Sequence, residues 1–402
     1  MTTQCVIAGG GPAGMMLGFL LARAGVRTVV LEKHADFLRD FRGDTVHPST
    51  MEVLYELGIV DEFLKRPHTE LRELRGCVAG ETVTIADFSH VPTHCKFIAL
   101  MPQWDFLDFL AEQAIVLPAF ELRRQAEVVD LIRDADRVAG VVVETTRGRE
   151  ELRADLVIGA DGRHSIVRER AELESEDFGA PMDVLWIRVS KRPGDPPQAL
   201  GNIADGYILV LLDRGDYWQC AYVIPKGGIE EVKARGLDAF RATLVSIAPF
   251  MRDRVSELED WNDIKLLTVV VDRLRSWHRP GLLCIGDAAH AMSPIGGVGI
   301  NLAIQDAVAT ANALASPLKR GQCSEEDLAK VQKRRELPTR WTQAAQLAVQ
   351  SRFLGPVLKG KGPQQLPIVL KLLRRFPMLR RIPARLVGVG VRPEHVQSPV
   401  AV

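Results

Sequence analysis

Neither sign of charge predominates in this chain. Its 51 Lys and Arg balance 51 Asp and Glu, so net charge gives no reason to expect a nucleic-acid partner. Cysteine is sparse: Cys5, Cys77, Cys95, Cys220, Cys284 and Cys323 are scattered, with no C-x-x-C pair. That argues against a disulfide framework and against a zinc site. His90, His94 and Cys95 lie close together in HVPTHC, but nothing supplies a fourth ligand, and no metal is expected. No uncharged run reaches the roughly 20 residues of a transmembrane helix. The N-terminal apolar run breaks at GGGPAG instead of leading to a cleavage site, so a cytoplasmic, reduced protein is expected.

One local absence is sharper. From Leu337 to Pro393 there is no Asp or Glu, yet there are eleven Lys or Arg. Within it, VLKLLRRFPMLRRIPARLVG mixes arginines with apolar residues, as in short amphipathic helices broken by Pro377 and Pro383. Two readings follow. The stretch is a helix packed on the body of the protein with its basic face in water, or it makes peripheral contact with an anionic membrane.

With 402 residues, two domains are the natural expectation. QCVIAGGG reads as a buried strand, PAGMMLGFLLARAG as a helix closed by Gly25, and VRTVVLEK as a second strand: a βαβ unit. Residues 44–66 look helical, with a break at Pro48, and 101–114 are helical again. From 180 to 275 the pattern becomes that of a mainly antiparallel sheet, interrupted by a helix at 229–248. Residues 324–402 are helical with several prolines.

Gly9, Gly11 and Gly14 form G-x-G-x-x-G between that first strand and helix, with Pro12 and Ala13 inside the turn. The first glycine permits the turn, the second lets a pyrophosphate approach the backbone, and the third lets helix and strand pack closely. The helix N-terminus then offers N–H groups to phosphate. Glu32 closes the second strand, with Lys33 beside it, where a carboxylate can accept the hydroxyls of an adenosine ribose. An acid there repels a 2′-phosphate, so the ligand should be FAD or NAD.

A second half-site follows another buried strand: DLVIGADGRHSIVR places Asp161 and Gly162 in a turn, with Ser165 and Arg168 behind it. Asp161 is read either as a nucleotide contact or as a cap for the following helix. The third motif is GDAAHAMSPIGGVGINLAIQDA, residues 286–307.

Together these three motifs resemble the FAD-dependent aromatic monooxygenases of the para-hydroxybenzoate hydroxylase type, the class A flavoprotein monooxygenases. The resemblance spans most of residues 4–310. It implies a glutathione-reductase-like Rossmann α/β domain for FAD, a mainly antiparallel substrate sheet and a helical C-terminal region. The corresponding boundaries are 1–74, 101–178 and 276–330 for FAD, 75–100 and 179–275 for substrate, and 331–402 for the helices. It also implies roles. Asp287 should bond the ribityl chain, and Pro294, Gly297, Gly299, Ile300 and Asn301 should lie along the pyrimidine edge of the flavin. Arg42 should reach FAD, Gln103 should bond the ribityl or pyrophosphate, and Val128 should contact adenine. His47 is near enough in sequence to point toward the flavin.

The implied reaction is hydroxylation of an aromatic or polyketide/quinol-like substrate. NADH or NADPH is the reductant, O2 the oxidant, and a flavin C4a-hydroperoxide the oxygen donor. A reductase of the isoprenoid-saturating type is the alternative within the same superfamily. No catalytic triad is expected, and no particular base is singled out. Flavin-dependent halogenases carry W-x-W-x-I-P where this chain has Cys220, Tyr222, Ile224 and Pro225, which disfavours halogenation. Trp186, Tyr207, Leu209, Leu211 and Tyr222 suit a small apolar or aromatic substrate, with Tyr222 as the candidate contact.

Overall fold

A computed structural model describes residues 3–38, 45–196, 200–204, 206–363 and 365–401. Arg42 lies outside the described residues.

The strand Thr3–Ala8 sits mid-sheet, with Thr28–Glu32 on one side and Gly148–Gly159 on the other, both parallel to it. Phe120–Arg124 and Leu282–Cys284 extend the parallel core outward. Central parallel strands are covered on both faces, which is why they read as unbroken apolar runs: Val6, Ile7, Val157 and Ile158 are wholly buried. The long strand Gly148–Gly159 changes partner midway. Its first half pairs antiparallel with Arg137–Thr145, and its second half joins Thr3–Ala8. The helices Pro12–Arg23, Gln103–Ile115 and Gly299–Lys319 pack on this sheet, with the first between the other two.

A second, seven-stranded sheet runs Lys265–Leu267, Met182–Ser190, Tyr217–Pro225, Tyr207–Asp213, Leu200–Ala204, Glu73–Val78 and Glu81–Asp87. Only the pairing of Leu200–Ala204 with Glu73–Val78 is parallel, so sequence-distant strands share one sheet. Alternation gives this sheet two apolar faces. Trp218, Cys220 and Tyr222 meet Phe240 and Leu244 of the helix Leu237–Ile247. Val184, Trp186, Ala221 and Val223 face the other way, toward Ile295 and Leu354.

Residues 44–66 are not continuously helical. Thr45–Val46 pairs with Ile98–Leu100, and the helix Pro48–Glu56 starts at the proline itself, whose fixed φ suits the first helical position. At the C-terminus, Ser324 and Asp327 form a capping box for the helix Glu325–Val349. The shorter helices Ile368–Arg375 and Arg381–Gly388 follow, and the chain then runs back across the body. Its last described residue, Ala401, donates its N–H to the Arg23 carbonyl at 2.8 Å. Among the described residues no helix is long and apolar enough to cross a membrane.

Candidate functional site: a dinucleotide cleft at the ends of the parallel strands

Gly9 adopts φ +103°, and a Cβ there would lie 2.4 Å from the Ala160 carbonyl oxygen. At Gly14 a Cβ would lie 1.9 Å from the Gly9 carbonyl oxygen. Close packing of the protein on itself therefore demands both glycines. Gly11 differs: nothing lies within 4 Å of an added Cβ, and its backbone is unstrained at φ −74°. The helix it starts has Pro12 at its first turn and no side-chain cap. Open space in front of uncapped N–H groups is the cradle a pyrophosphate requires, so the residues present fit the expected nucleotide.

Glu32 is buried and held in place. One carboxylate oxygen accepts the N–H of Gly10 at 3.1 Å and the other that of His34 at 3.0 Å. Lys33 pairs with Glu127 at 3.8 Å, which brings the end of this strand beside the strand that carries buried Val128.

The three motifs meet. A Cβ on Gly9 would approach the Asp161 Cα to 2.8 Å, and one on Gly286, where φ is +60°, would approach the Ala13 Cβ to 3.1 Å. Arg163 reaches Asp287 at 3.5 Å. The Asp161 side chain braces the start of the helix Ile166–Arg170, whose N-cap is Ser165: it accepts the Ser165 hydroxyl at 2.5 Å and the Val167 N–H at 3.2 Å. Burial pushes its carboxyl above the ordinary range against those hydrogen bonds. Arg168 ties this turn to Asp272 at 3.0 Å, and Asp272 accepts the Ala291 N–H at 3.0 Å.

Pro294 precedes a short 3-10 turn, Ile295–Gly297, in which Gly296 and Gly297 have φ of +77° and +63°. The Thr45 hydroxyl donates to the Gly297 carbonyl at 3.1 Å, and a Cβ on Gly297 would strike that hydroxyl oxygen at 2.5 Å. Gly299 begins the 21-residue helix Gly299–Lys319 without a side-chain cap, and an added Cβ there meets only the Met292 Cβ, at 4.0 Å. Ile300 is half-buried. Asn301 is buried, and its side-chain oxygen accepts the His47 N–H at 3.3 Å and the Thr50 hydroxyl at 2.7 Å. Asn301 thus fastens the Pro48–Glu56 helix to the motif helix. Gln103, half-buried, heads its own helix.

His47 belongs to this wall. Its Nδ1 lies 2.8 Å from the Val387 carbonyl, so Nδ1 carries the proton and Nε2 is left as an acceptor, buried and without a partner among the described residues. Burial lowers its pKa to about 4, with the bond to Val387 opposing this. The imidazole is neutral at ordinary pH.

Sequence reasoning assigned no role to the buried network behind the cleft. Asp306 accepts the Gly286 N–H at 3.0 Å, His290 Nε2–H at 2.6 Å and Arg335 Nε–H at 2.9 Å. Arg335 also reaches Glu394 at 3.4 Å. Burial alone would raise the Asp306 carboxyl, but His290 and Arg335 overcome it and hold the group below the usual carboxylate range. His290 and Asp306 both lie in the third motif, sixteen residues apart, and Asp306 falls among the apolar residues of a buried helix, which was the available signal. Arg335 and Glu394 carried none.

Tyr222, the candidate substrate contact, is only 8% exposed. Its ring packs edge-on against Phe240 at 5.5 Å, under the helix Leu237–Ile247, and burial pushes its phenol up to about 12. The opposite face holds Trp186, packed in the group that includes Ile295, with a buried indole N–H that has no partner among the described residues.

A family model described as an FAD binding domain matches residues 2–345. The chain is 32% identical to 6-methylpretetramide 4-monooxygenase from Streptomyces rimosus over 95% of its own length and 92% of that protein's. It is 31% identical to rifampicin monooxygenase from Streptomyces venezuelae over 75% of its own length but spans only 62% of that relative. Among solved structures it resembles the anhydrotetracycline hydroxylase OxyS from Streptomyces rimosus, with a TM-score of 0.76 at 26% identity, covering 96% of this chain and 76% of the other.

Proposed function

The chain belongs to the FAD binding domain family, and on that premise we propose that it hydroxylates an electron-rich aromatic or polyketide-like small molecule as an FAD-dependent monooxygenase. NADH or NADPH is the reductant and O2 the oxygen source. The relative that it matches over nearly its whole length acts, by its name, on 6-methylpretetramide. The observation that carries the reading is the convergence of Gly9, Asp161, Gly286 and Asp287 on one cleft, with open space before Gly11.

FAD supplies the electron-transfer and oxygen chemistry. In this reading the chain's own residues bind and orient. Gly11, Pro12, Ala13 and Gly14 receive the pyrophosphate. Glu32, Lys33 and Val128 line the adenosine end, and Asp287 and Gln103 face the ribityl chain. Arg42 is kept as a further FAD contact. The helix N-terminus at Gly299, Ile300 and Asn301, led in by Pro294 and Gly297, lies at the pyrimidine edge. There its dipole favours negative charge on the reduced ring by up to ~2 kcal/mol. We favour Trp186 over Tyr222 for the substrate-side role, because its indole N–H is an unsatisfied donor on the sheet face that packs with Ile295.

We read the eight-stranded sheet as glutathione-reductase-like, with FAD segments 1–74, 101–178 and 276–330. The substrate segments are 75–100 and 179–275, and the helices occupy 331–402. The test is a screen of phenolic and polycyclic compounds for those that speed NAD(P)H oxidation by the yellow holoprotein, followed by turnover under 18O2. Product carrying one labelled oxygen is expected. Reduced, unlabelled product would assign the chain to the reductases.

A further inference from the structure

The basic C-terminal segment is not folded with its apolar side inward. Ile368 and Leu372 lie one turn apart on the first helix, with Phe376 just past its end, and Ile382 and Leu386 lie one turn apart on the second, with Met378 in the turn before it. All six are between 44% and 76% exposed. These residues are not on inner faces that failed to dock. The Ile368–Arg375 helix already buries Leu373, with Leu370 against Val78, Val83 and Leu366, and the Arg381–Gly388 helix buries Ala384 against Phe88 and Leu100. Each helix therefore has a seated face and a second apolar face in water. Contiguous exposed apolar area of this kind marks an interaction site.

The cations are arranged beside these residues. Lys371, Arg375 and Arg385 are exposed. Among the described residues no carboxylate lies within ion-pair distance of any of the three. Arg375 lies over the Phe376 ring at 5.6 Å. No acid occurs between Leu337 and Pro393 to repel an anionic surface. A nucleic acid would match the cations but not the apolar residues. Two short helices with exposed apolar residues, flanked by long cationic side chains, match the boundary between headgroups and acyl chains.

We propose that this surface seats the protein on an anionic lipid bilayer. The same helix reaches the cleft: the Val387 carbonyl accepts the His47 ring, and the Val387 side chain lies 3.9 Å from where a Cβ on Gly296 would be. Docking would set the cleft close to the membrane surface, where apolar substrates concentrate. Lipid binding is read without turnover, so it stands or falls separately from the proposed reaction.

The experiment is flotation of the full-length holoprotein with vesicles of pure phosphatidylcholine, and with vesicles equimolar in phosphatidylcholine and phosphatidylglycerol. Flotation with the anionic vesicles alone is expected, weakening as salt rises. Lys371→Gln, Arg375→Gln and Arg385→Gln should each lower the partition coefficient about fivefold. Phe376→Ser and Ile382→Ser should each lower it about tenfold or more. All five variants should keep wild-type flavin content and far-UV spectra. No flotation with either vesicle, or undiminished flotation of the triple Gln variant, would overturn the proposal. So would a concentration-dependent dimer that Phe376→Ser dissolves, which would assign the face to a second copy of the chain.

Discussion

Asp306 and Arg335 meet at 2.9 Å with their side chains no more than 2% exposed. They lie on two long helices and are joined by His290 from the third motif and Glu394 from the returning tail. Removing one partner of a buried pair leaves an uncompensated charge, at a cost of about 3–5 kcal/mol. Asp306→Asn should therefore lower the free energy of unfolding by that order in urea titration. It should also weaken FAD retention, because the Gly286 N–H loses its charged acceptor. Unchanged urea midpoints would show that the network contributes nothing.

Gly11 separates nucleotide space from packing space. Serine is a good N-cap residue, so Gly11→Ser should leave the apoprotein's stability within about 0.5 kcal/mol of wild type. Its side chain would enter the cradle, and FAD affinity should fall about ten- to a hundredfold, the scale of overpacking. Flavin fluorescence titration of reconstituted protein measures this. Gly14→Ala, which drives a Cβ into the Gly9 carbonyl, should instead destabilise the apoprotein itself.

His47 gives a pH signature. Its pKa is lowered from 6.5 to about 4 in the fold, chiefly by burial. Between those values the unfolded chain binds more protons than the native one, so stability is fully present above pH 6.5 and is lost as pH falls toward 4. The total is about 3 kcal/mol. Denaturant titrations across that window should show a shallower slope for His47→Gln than for wild type. Equal slopes would place the titration elsewhere.

Trp186 and Tyr222 lie on opposite faces of one sheet. Trp186→Phe removes a donor worth about 1 kcal/mol, so KM for the substrate found by screening should rise about fivefold with flavin content unchanged. Tyr222→Phe should leave KM alone. The reverse outcome would make Tyr222 the substrate contact.

The sequence made the site legible in proportion to how local its chemistry is. Gly9 and Gly14 could be read because their requirement arises within one strand–turn–helix unit. Asp161 left two readings open because a helix start and a nucleotide contact ask for the same residue at the same place, and its side chain is turned to the helix start beside the cap Ser165. For Tyr222, alternation tells which residues share a face but not which face looks at the cleft. That depends on where the helix Leu237–Ile247 and the loop at Ile295 come to lie. Arg335 and Glu394 were invisible because a buried ion pair between distant segments has no period. The mixed pattern after Ile368 showed amphipathic helices but not that apolar residues on them stay exposed.

The carbonyl of Val387 sits on the inner side of a helix whose outer side is open. Among the described residues it is the one hydrogen-bond partner of the His47 ring, and it keeps the proton on Nδ1. The outer face of that helix and the wall of the cleft therefore share one short stretch of backbone, so a shift of the helix would move the acceptor that holds the His47 proton on Nδ1.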